Sequence, residues 1–255
     1  MQKIIIVRAP AKDFPFVVVY KPAGLPSAPL KSRTGNDALS FMAALFPELH
    51  HVRGKNEIEC GLLHRIDTDT EGLLMAAATQ DAYDFMQDLQ TKGGFIKTYR
   101  ASCTVKPDNA AALGGFPPAP ANFADCIQCG TADITSFFRT YGAGGKEVRP
   151  VTEISGKAAV KKVGQKKTYT TRVRLLSFSE ANAELECTLT QGFRHQVRCH
   201  CAWCGFPIRG DRLYHADCTS AVEPLRFTAV KLEFLNPITG QKEVIGIGEA
   251  GGTDI

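Results

Sequence analysis

The stretch of sequence that decides the fold of this chain is His64-Arg65-Ile66-Asp67-Thr68-Asp69-Thr70-Glu71-Gly72-Leu73-Leu74. A charged, polar segment runs directly into an apolar one, which predicts a loop or strand end leading into a buried strand. In an extended backbone, side chains alternate between faces, so Arg65, Asp67 and Asp69 are expected to point the same way. An ion pair on a surface loop would give the same spacing, so the spacing alone does not define a site.

Three further segments follow a recognisable order along the chain. They are Tyr20-Lys21-Pro22-Ala23-Gly24-Leu25-Pro26, Lys97-Thr98-Tyr99-Arg100-Ala101, and a block from Gly192 to Tyr214 containing His195, Gln196, Arg198, His200 and Gly210-Asp211. Together with residues 64–74, these segments resemble the ordered motifs of the RluA-like pseudouridine synthases. The resemblance covers roughly residues 15–245 with gaps, and four ordered motifs are much harder to meet by chance than one.

This resemblance implies a fold and a set of catalytic residues. The fold would be α+β, with a bent, mainly antiparallel mixed sheet, flanking helices and a central catalytic cleft. Asp67 would be the nucleophile, Arg198 its ion-pair partner, and Tyr99 the residue that lies against the flipped base and helps to remove its C5 proton. Arg65 would fill the space that the base leaves, and Phe227 would lie under the flipped base.

The resemblance also implies further contacts to the substrate. Lys21 is predicted to hold phosphates, and His195 and Gln196 to bind the substrate. Arg194 and Arg198 are four residues apart at the start of a predicted helix, where backbone donors favour an anion. A basic run without acidic residues is predicted to lie along an RNA backbone; its members are Lys157, Lys161, Lys162, Lys166, Lys167, Arg172 and Arg174.

Two residues depart from the family pattern. Phe193 stands where the usual block has an arginine directly after the glycine, so any contact of that arginine is lost unless Arg194 replaces it. Glu71 stands where this branch usually has a serine, and a glutamate there is familiar in the sister branch of small-subunit-type synthases. Both departures are expected to concern the fit of the substrate more than the chemistry.

The reaction that the resemblance implies needs no cofactor. It breaks the bond from C1' to N1 and joins C1' to C5 of the uracil, without redox change. A carboxylate nucleophile splits this displacement into easier steps by adding to C6 of the base or to C1' of the ribose, and both routes stay open. The expected partner is ribosomal or transfer RNA, and the expected state is a monomer without a nucleotide cofactor or a membrane partner.

Two alternatives to this function remain open. A glycoside hydrolase would use Asp67 and Asp69 as a pair of carboxylates, which on a strand lie about 7 Å apart. A non-catalytic RNA-binding protein of the same fold would use neither carboxylate for chemistry. The presence of both Asp67 and Arg198 argues against a mere binder, which gains nothing from a carboxylate that faces phosphates.

Composition limits the class of protein further. The net charge of +4 over 255 residues is mildly basic, so any site for a polyanion must come from local clustering. No apolar run approaches the roughly 18 residues of a membrane span, and the N-terminus has no cleavage pattern, so we expect a cytoplasmic protein. The odd count of nine cysteines indicates reduced thiols. Cys126 with Cys129, and Cys201 with Cys204, have the spacing of zinc ligands, but the second pair falls in a predicted helix and no metal is expected.

Periodicity predicts the elements and the domain. Strands are predicted over 3–7, 16–20, 72–78 and 95–105, with hairpins of 172–178 with 183–190 and of 226–235 with 241–247. Helices are predicted over 37–46 with Asn36 as the cap, after Thr79, and from 194 or 195 to 205. We predict a single catalytic domain over 1–247, with an irregular insertion at 106–150 and a disordered tail at 248–255. No room is expected before Phe16 for the small RNA-binding domain of many relatives.

Overall fold

A computed structural model describes residues 3–29, 35–121, 123–164, 167–218 and 223–247. The contacts within the chain define two compact units. Unit 1 consists of Met1–Thr98 and Thr228–Ile255, and unit 2 consists of Tyr99–Phe227. The predicted domain of 1–247 contains both units and stays a prediction, and the predicted tail at 248–255 lies outside the described residues.

The described residues form ten strands and six α-helices. The strands are β1 (Ile5–Arg8), β2 (Phe16–Lys21), β3 (Glu71–Ala77), β4 (Ile96–Thr104), β5 (Thr131–Tyr141), β6 (Glu147–Val151), β7 (Tyr169–Phe178), β8 (Asn182–Leu189), β9 (Phe227–Leu235) and β10 (Lys242–Gly246). The α-helices are α1 (Ala38–Leu45), α2 (Gln80–Thr91), α3 (Asn109–Leu113), α4 (Phe123–Gln128), α5 (Lys157–Val160) and α6 (Gln196–Trp203). Short 3-10 turns occupy Pro47–His51, Glu57–Glu59 and Ala143–Gly145.

In unit 1, the strands pair mainly antiparallel. β2 pairs with β1 on one side and β3 on the other, and β10 pairs with β9. β3 meets β9 in parallel through two registered pairs, Glu71 with Thr228 and Gly72 with Ala229. Gly72 has a φ of 114°, and a Cβ atom there would lie 2.3 Å from the carbonyl oxygen of Ala229. Only glycine therefore allows this close approach of the two strands.

The core of unit 1 lies between its strands and α2. The aromatic rings of Phe14, Phe16, Phe95 and Phe234 pack edge to face or tilted, with centroids 5.3–6.4 Å apart. Helix α2 begins where predicted, because the Thr79 hydroxyl accepts the backbone N–H of Ala82 at 3.3 Å.

The cap of α1 differs from the prediction. Asp37, one residue after the predicted Asn36, caps the helix, since its Oδ1 accepts the Ser40 N–H at 2.9 Å. Its other oxygen, Oδ2, also accepts the hydroxyl of Ser40 at 2.7 Å. An acceptor side chain three residues before the donor N–H has the spacing that capping requires, and Asp37 has it for Ser40. The cap therefore moves by one residue, and the helix begins at Ala38.

In unit 2, the strands follow the order β4, β8, β7, β5, β6. The pairs β7 with β8, β5 with β7 and β5 with β6 are antiparallel. The two predicted hairpins, β7 with β8 here and β9 with β10 in unit 1, are confirmed. The predicted helix near residue 195 is α6, and every one of its eight residues is buried.

The prediction of an irregular insertion at 106–150 is wrong. This stretch contains α3, α4, β5 and β6. Its early part is rich in proline, alanine and glycine, which hid the alternation of buried Ile134, Ser136 and Phe138 along β5. Pro150 is accommodated because β6 ends the strand order of the unit, where a missing N–H leaves no partner unpaired.

The cysteines and the hydropathy of the helices bear on two further predictions. Each of the nine cysteines is a free thiol. Within the described ranges, no group of three or more His, Cys, Asp or Glu side chains is arranged to hold a metal ion. In the same part of the chain, no helix is both long and apolar enough to cross a bilayer.

Candidate active site

The loop that carries Asp67 is fixed from both sides by the N-terminal Lys-Pro-x-Gly segment. The Ser27 hydroxyl donates to the carbonyl of Ile66 at 2.7 Å and accepts the N–H of the same residue at 3.1 Å. The carbonyl of Thr68 accepts the N–H of Gly24 at 2.8 Å. The residues before and after Asp67 are therefore held, and the half-buried Asp67 between them has a fixed backbone.

Lys21 is the centre of this arrangement. Its ammonium donates to the carbonyls of Pro22, Leu25 and Thr68 at 2.9, 2.7 and 3.1 Å, and the side chain is fully buried. Burial lowers the pKa of Lys21 to about 8, against the opposing effect of nearby carboxylates. All three ammonium protons are thus used within the protein. These contacts argue against the phosphate contact predicted for Lys21, whose role here is to tie the loop to the motif.

Glu71, the departure from the family pattern, joins two strands behind this loop. Its carboxylate accepts the hydroxyl of Thr228 on β9 at 3.3 Å, and it also binds the Tyr20 hydroxyl on β2. Burial, followed by the effect of Glu71, raises the pKa of Tyr20 above its ordinary value. A serine at position 71 is too short to reach both hydroxyls. Glu71 therefore joins the start of β3 to β2 and β9 through contacts that a serine could not make.

Two basic residues of the quoted motifs, His64 and Lys97, were not predicted as site residues. Burial, with a smaller effect of Lys97, lowers the pKa of His64 to about 3, so the ring is neutral. Its ring packs edge to face on Phe95 at 5.5 Å, and neither ring nitrogen has a hydrogen-bond partner among the described residues. The Lys97 ammonium donates to the Phe95 carbonyl at 3.3 Å, and burial lowers its pKa to about 8.

Arg65 points outward from the motif. Its side chain is 63% exposed, and its Nη1 donates to Oε1 of Glu59 at 2.8 Å. The Glu59 side chain is only 14% exposed, so the acceptor is the fixed partner of the pair. An exposed guanidinium next to Asp67 in sequence fits the predicted contact with RNA.

Tyr99 and Phe227 lie together in unit 2. Their rings are stacked, with centroids 5.0 Å apart and planes at 14°. Both residues are largely buried. The two residues predicted to lie against the flipped base therefore form one stacked aromatic pair.

Arg198 is held rigidly within unit 2. Its Nε and Nη2 donate to the two carboxylate oxygens of Asp211 at 2.7 and 2.8 Å. Asp211 is fixed in turn, since its Oδ1 accepts the N–H groups of Leu213 and Tyr214 at 3.0 and 3.1 Å. This buried bidentate pair fixes the plane of the guanidinium. The ion pair predicted between Arg198 and Asp67 joins residues of different units and stays a prediction.

His195 and Gln196, at the start of α6, make contacts within unit 2. The side chain of Gln196 is buried, donates to the Thr170 carbonyl and the Thr171 hydroxyl, and accepts the N–H of Phe193. These contacts argue against direct substrate binding by Gln196. Nδ1 of His195 lies 3.0 Å from the Tyr214 hydroxyl, on a residue with a φ of 56°.

The position of the missing family arginine is filled by an aromatic ring. Phe193, which is half-buried, stacks on Phe138 with centroids 4.9 Å apart and planes at 5°, and so packs against a core cluster of unit 2. The exposed Arg194 donates to the carbonyls of Gly145 and Glu147. The guanidinium of Arg194 therefore ties the segment before α6 to the start of β6.

The basic run divides into paired and exposed members. Arg172 makes a bidentate pair with Asp133 at 2.9 and 3.0 Å, and Arg174 pairs with Glu186. The exposed lysines at and after α5 have no ion pair among the described residues; they are Lys157, Lys161, Lys162 and Lys167, and Lys166 lies outside the described residues. The lysines are thus the members best suited to bind phosphates.

The predicted site residues fall in both units. Lys21, Arg65 and Asp67 belong to unit 1. The other six belong to unit 2 and are Tyr99, Arg194, His195, Gln196, Arg198 and Phe227. Nothing in the sequence indicated Ser27 or Glu59, because Ser27 contacts a residue far away along the chain and Glu59 lies on a turn that periodicity does not mark. Asp211 stood in a quoted motif, but its bond to Arg198 was not predicted.

Most of the chain matches a model of a known protein family. A family model described as RNA pseudouridylate synthase matches residues 15–203. This match covers more than half of the chain and spans the Asp67 motif and all of α6, so the chain belongs to the RNA pseudouridylate synthase family. The resemblance to RluA-like pseudouridine synthases is confirmed.

Curated relatives and solved structures agree with the family. The chain is 26% identical over 206 residues to ribosomal large subunit pseudouridine synthase D of Yersinia pestis, covering 80% of the chain and 51% of the relative. It is 26% identical over 244 residues to the protein of the same name from Zymomonas mobilis, covering 91% and 65%. The chain thus spans about half to two thirds of the length of these relatives.

Two human structures share the fold. Human RNA pseudouridylate synthase domain containing 1 matches with a TM-score of 0.64 and 17% identity, over 97% of the chain and 84% of that structure. Human RNA pseudouridylate synthase domain containing 4 matches with a TM-score of 0.60 and 18% identity, over 96% and 88%. The predicted α+β fold with mainly antiparallel strands is confirmed.

Proposed function

We propose that this chain converts specific uridines of RNA to pseudouridine, with Asp67 as the nucleophile. The observation that carries the proposal is the fixed backbone on both sides of Asp67, where Ser27 holds Ile66 and Lys21 holds Thr68. A nucleophile must be presented in one position, and this loop has little freedom. Membership of the RNA pseudouridylate synthase family supports the reaction class.

The proposed reaction rearranges one nucleotide without a net change in composition. The bond from C1' to N1 breaks, C1' joins C5, the proton at C5 is lost and N1 gains a proton. Asp67 adds to C6 of the uracil or to C1' of the ribose, and Arg198 keeps the carboxylate ionised by opposite charge. The stacked rings of Tyr99 and Phe227 receive the uracil, with Tyr99 assisting the removal of the C5 proton.

The substrate must expose its uridine for this chemistry. A base inside a helix is out of reach, so it has to be flipped, and Arg65 fills the space that it leaves. The exposed lysines Lys157, Lys161 and Lys162 bind phosphates of the same RNA. Ribosomal RNA of the large subunit is the first substrate to test, because the curated relatives carry that substrate in their names, and transfer RNA is the second.

The decisive experiment is pseudouridine mapping by carbodiimide and primer extension on total RNA from cells that lack this protein. The cells are complemented with wild type, Asp67→Asn or Asp69→Asn. We expect a site that wild type and Asp69→Asn restore and that Asp67→Asn does not. The exposed Asp69 is a matched control, since it has the same chemistry two residues away.

Other outcomes would favour the alternatives. Loss of function in both aspartate variants, with release of free sugar from a glycoside, would favour a carboxylate-pair hydrolase. Full biological function with Asp67→Asn would favour a non-catalytic RNA-binding protein. A map without any difference among the strains would remove the case for catalysis on cellular RNA.

A further inference from the structure

We infer that Glu59 is a positioning residue that sets the direction of the Arg65 side chain before RNA binds. The inference rests on the proposed function, because it takes Arg65 as the side chain that fills the space of the flipped uridine. It adds a residue that lies outside the motifs of the family resemblance. Glu59 touches no reacting atom and acts only through Arg65.

The contact itself is directional. Oε1 of Glu59 accepts a hydrogen bond from Nη1 of Arg65 at 2.8 Å. The two side chains differ in exposure, 14% for Glu59 and 63% for Arg65, so the carboxylate is anchored and the guanidinium reaches outward from it. This is the one hydrogen bond of the Arg65 guanidinium within the described residues. Four of its five N–H donors therefore remain for RNA.

The turn that carries Glu59 is held in a strained conformation. Cys60, the next residue, has a φ of 42° and a ψ of −133°, which an L-residue with a side chain rarely adopts. Such strain persists only where the surroundings fix it, and it concentrates at functional positions. The N–H of Leu62 donates to the carbonyl of Glu59 at 2.9 Å, which closes the turn.

Close packing fixes the turn from both sides. A Cβ atom at Gly54 would lie 2.0 Å from the carbonyl oxygen of Cys60, and one at Gly61 would lie 2.1 Å from that of Ala77. The carbonyl of Gly61 also accepts the N–H of Ala77 on β3 at 2.8 Å. Glu59 is therefore anchored to the same strand that follows the Asp67 motif.

The charge of Glu59 needs an explanation in an RNA-binding region. A carboxylate beside an RNA backbone repels the phosphates, so an uncompensated glutamate at this place would weaken binding. Its bond to Arg65 instead restricts the Arg65 side chain before RNA binds. Less conformational entropy of that side chain is then lost during base flipping. The expected effect of Glu59 is on the rate of the reaction, and not on the affinity for RNA.

The test measures tritium release from total RNA that was labelled with [5-³H]uridine in cells lacking this protein. Formation of pseudouridine frees the hydrogen at C5, so release reports the reaction without a known target site. We expect Glu59→Gln to lower the single-turnover rate by about 3- to 30-fold, with an unchanged half-saturating enzyme concentration. Asp88→Asn is the matched control, because it removes an equal charge from an exposed pair with Lys92 in the same unit.

A double-mutant cycle separates positioning from a merely structural role. In an Arg65→Ala background, Glu59→Gln should cause no further loss of rate, because its effect passes through Arg65. Thermal unfolding of each variant shows whether the fold is intact. A Glu59→Gln rate equal to that of wild type, or an equal loss with and without Arg65, would overturn the inference. Absence of tritium release by wild type would instead overturn the proposed function.

Discussion

The pairing of Arg198 with Asp211 gives the first prediction at the scale of single residues. Asp211→Asn removes the carboxylate charge that the buried Arg198 guanidinium binds through two hydrogen bonds, so we expect the free energy of unfolding to fall by about 3–5 kcal/mol. The matched control is Asp133→Asn, which breaks a bidentate pair of the same geometry with Arg172 at the surface, where the two side chains are 44% and 66% exposed. Its cost should stay within about 1 kcal/mol. Equal losses in urea unfolding would contradict this account of Arg198.

Lys97 gives a prediction about pH. Burial lowers its pKa from 10.5 to about 8, so between these values the unfolded chain binds more protons than the folded one. The contribution of Lys97 to the unfolding free energy therefore rises with pH across that window, by up to about 1.4 kcal/mol per pH unit, and is flat below pH 8.

The measurement compares the wild type with Lys97→Met by urea unfolding between pH 7 and pH 10. The stability of wild type relative to the variant should increase from pH 8 upward. Lys21, whose pKa is also about 8, is present in both proteins and cancels in the difference. A stability difference that stays constant from pH 7 to pH 10 would show that folding does not lower the pKa of Lys97.

Residue roles were harder to predict from the sequence than residue positions. The motif placed Lys21 beside Asp67, but a lysine near a predicted RNA site reads as a phosphate ligand, and only the three carbonyl partners show a structural role. The buried contacts of Gln196 with Thr170, Thr171 and Phe193 could likewise not be read from the sequence. Hydrogen-bond partners far apart in sequence leave no periodic signal, whereas the apolar face of an element does.

At the scale of elements, the junction of β3 with β9 depends on one glycine. Gly72→Ala would place a methyl group 2.3 Å from the carbonyl oxygen of Ala229, on a residue with positive φ. We expect a loss of about 2–5 kcal/mol in the free energy of unfolding. Gly240→Ala is the control, because Gly240 also has positive φ but nothing lies within 4 Å of its Cβ position. If both variants lose the same stability, the close approach of the strands is not the cause.

Elements marked by an apolar run or a helix cap could be predicted from the sequence, and elements that follow a stretch rich in proline and glycine could not. The strand β2 and the helix α2 follow directly from a continuous apolar run and a threonine cap. The strands β5 and β6 were missed because a preceding stretch rich in proline and glycine suggested irregular structure up to residue 150. The positive φ of Cys60 left no mark in the sequence, since cysteine is not a residue type that favours it.

At the scale of the whole molecule, the mild net charge limits how RNA is held. With a net charge of +4, electrostatic binding must come from local groups. The paired arginines Arg172 and Arg174 contribute little net charge, because Asp133 and Glu186 neutralise them. The exposed lysines of the α5 region remain, so they should account for much of the salt dependence of RNA binding.

The last prediction follows from this distribution of charge. A triple variant with glutamine at Lys157, Lys161 and Lys162 should bind single-stranded RNA more weakly. The plot of the logarithm of the association constant against the logarithm of the salt concentration should become less steep by about 2, since each phosphate contact contributes about 0.7 to the slope. Filter binding from 50 to 300 mM salt measures the slope. A control variant with glutamine at the exposed Lys12, Lys55 and Lys92 of unit 1 removes the same net charge. Because it removes no phosphate contact, its slope should match that of wild type. Equal slopes for all three proteins would exclude the α5 lysines from the RNA interface and would leave phosphate binding to other basic residues, Arg65 among them.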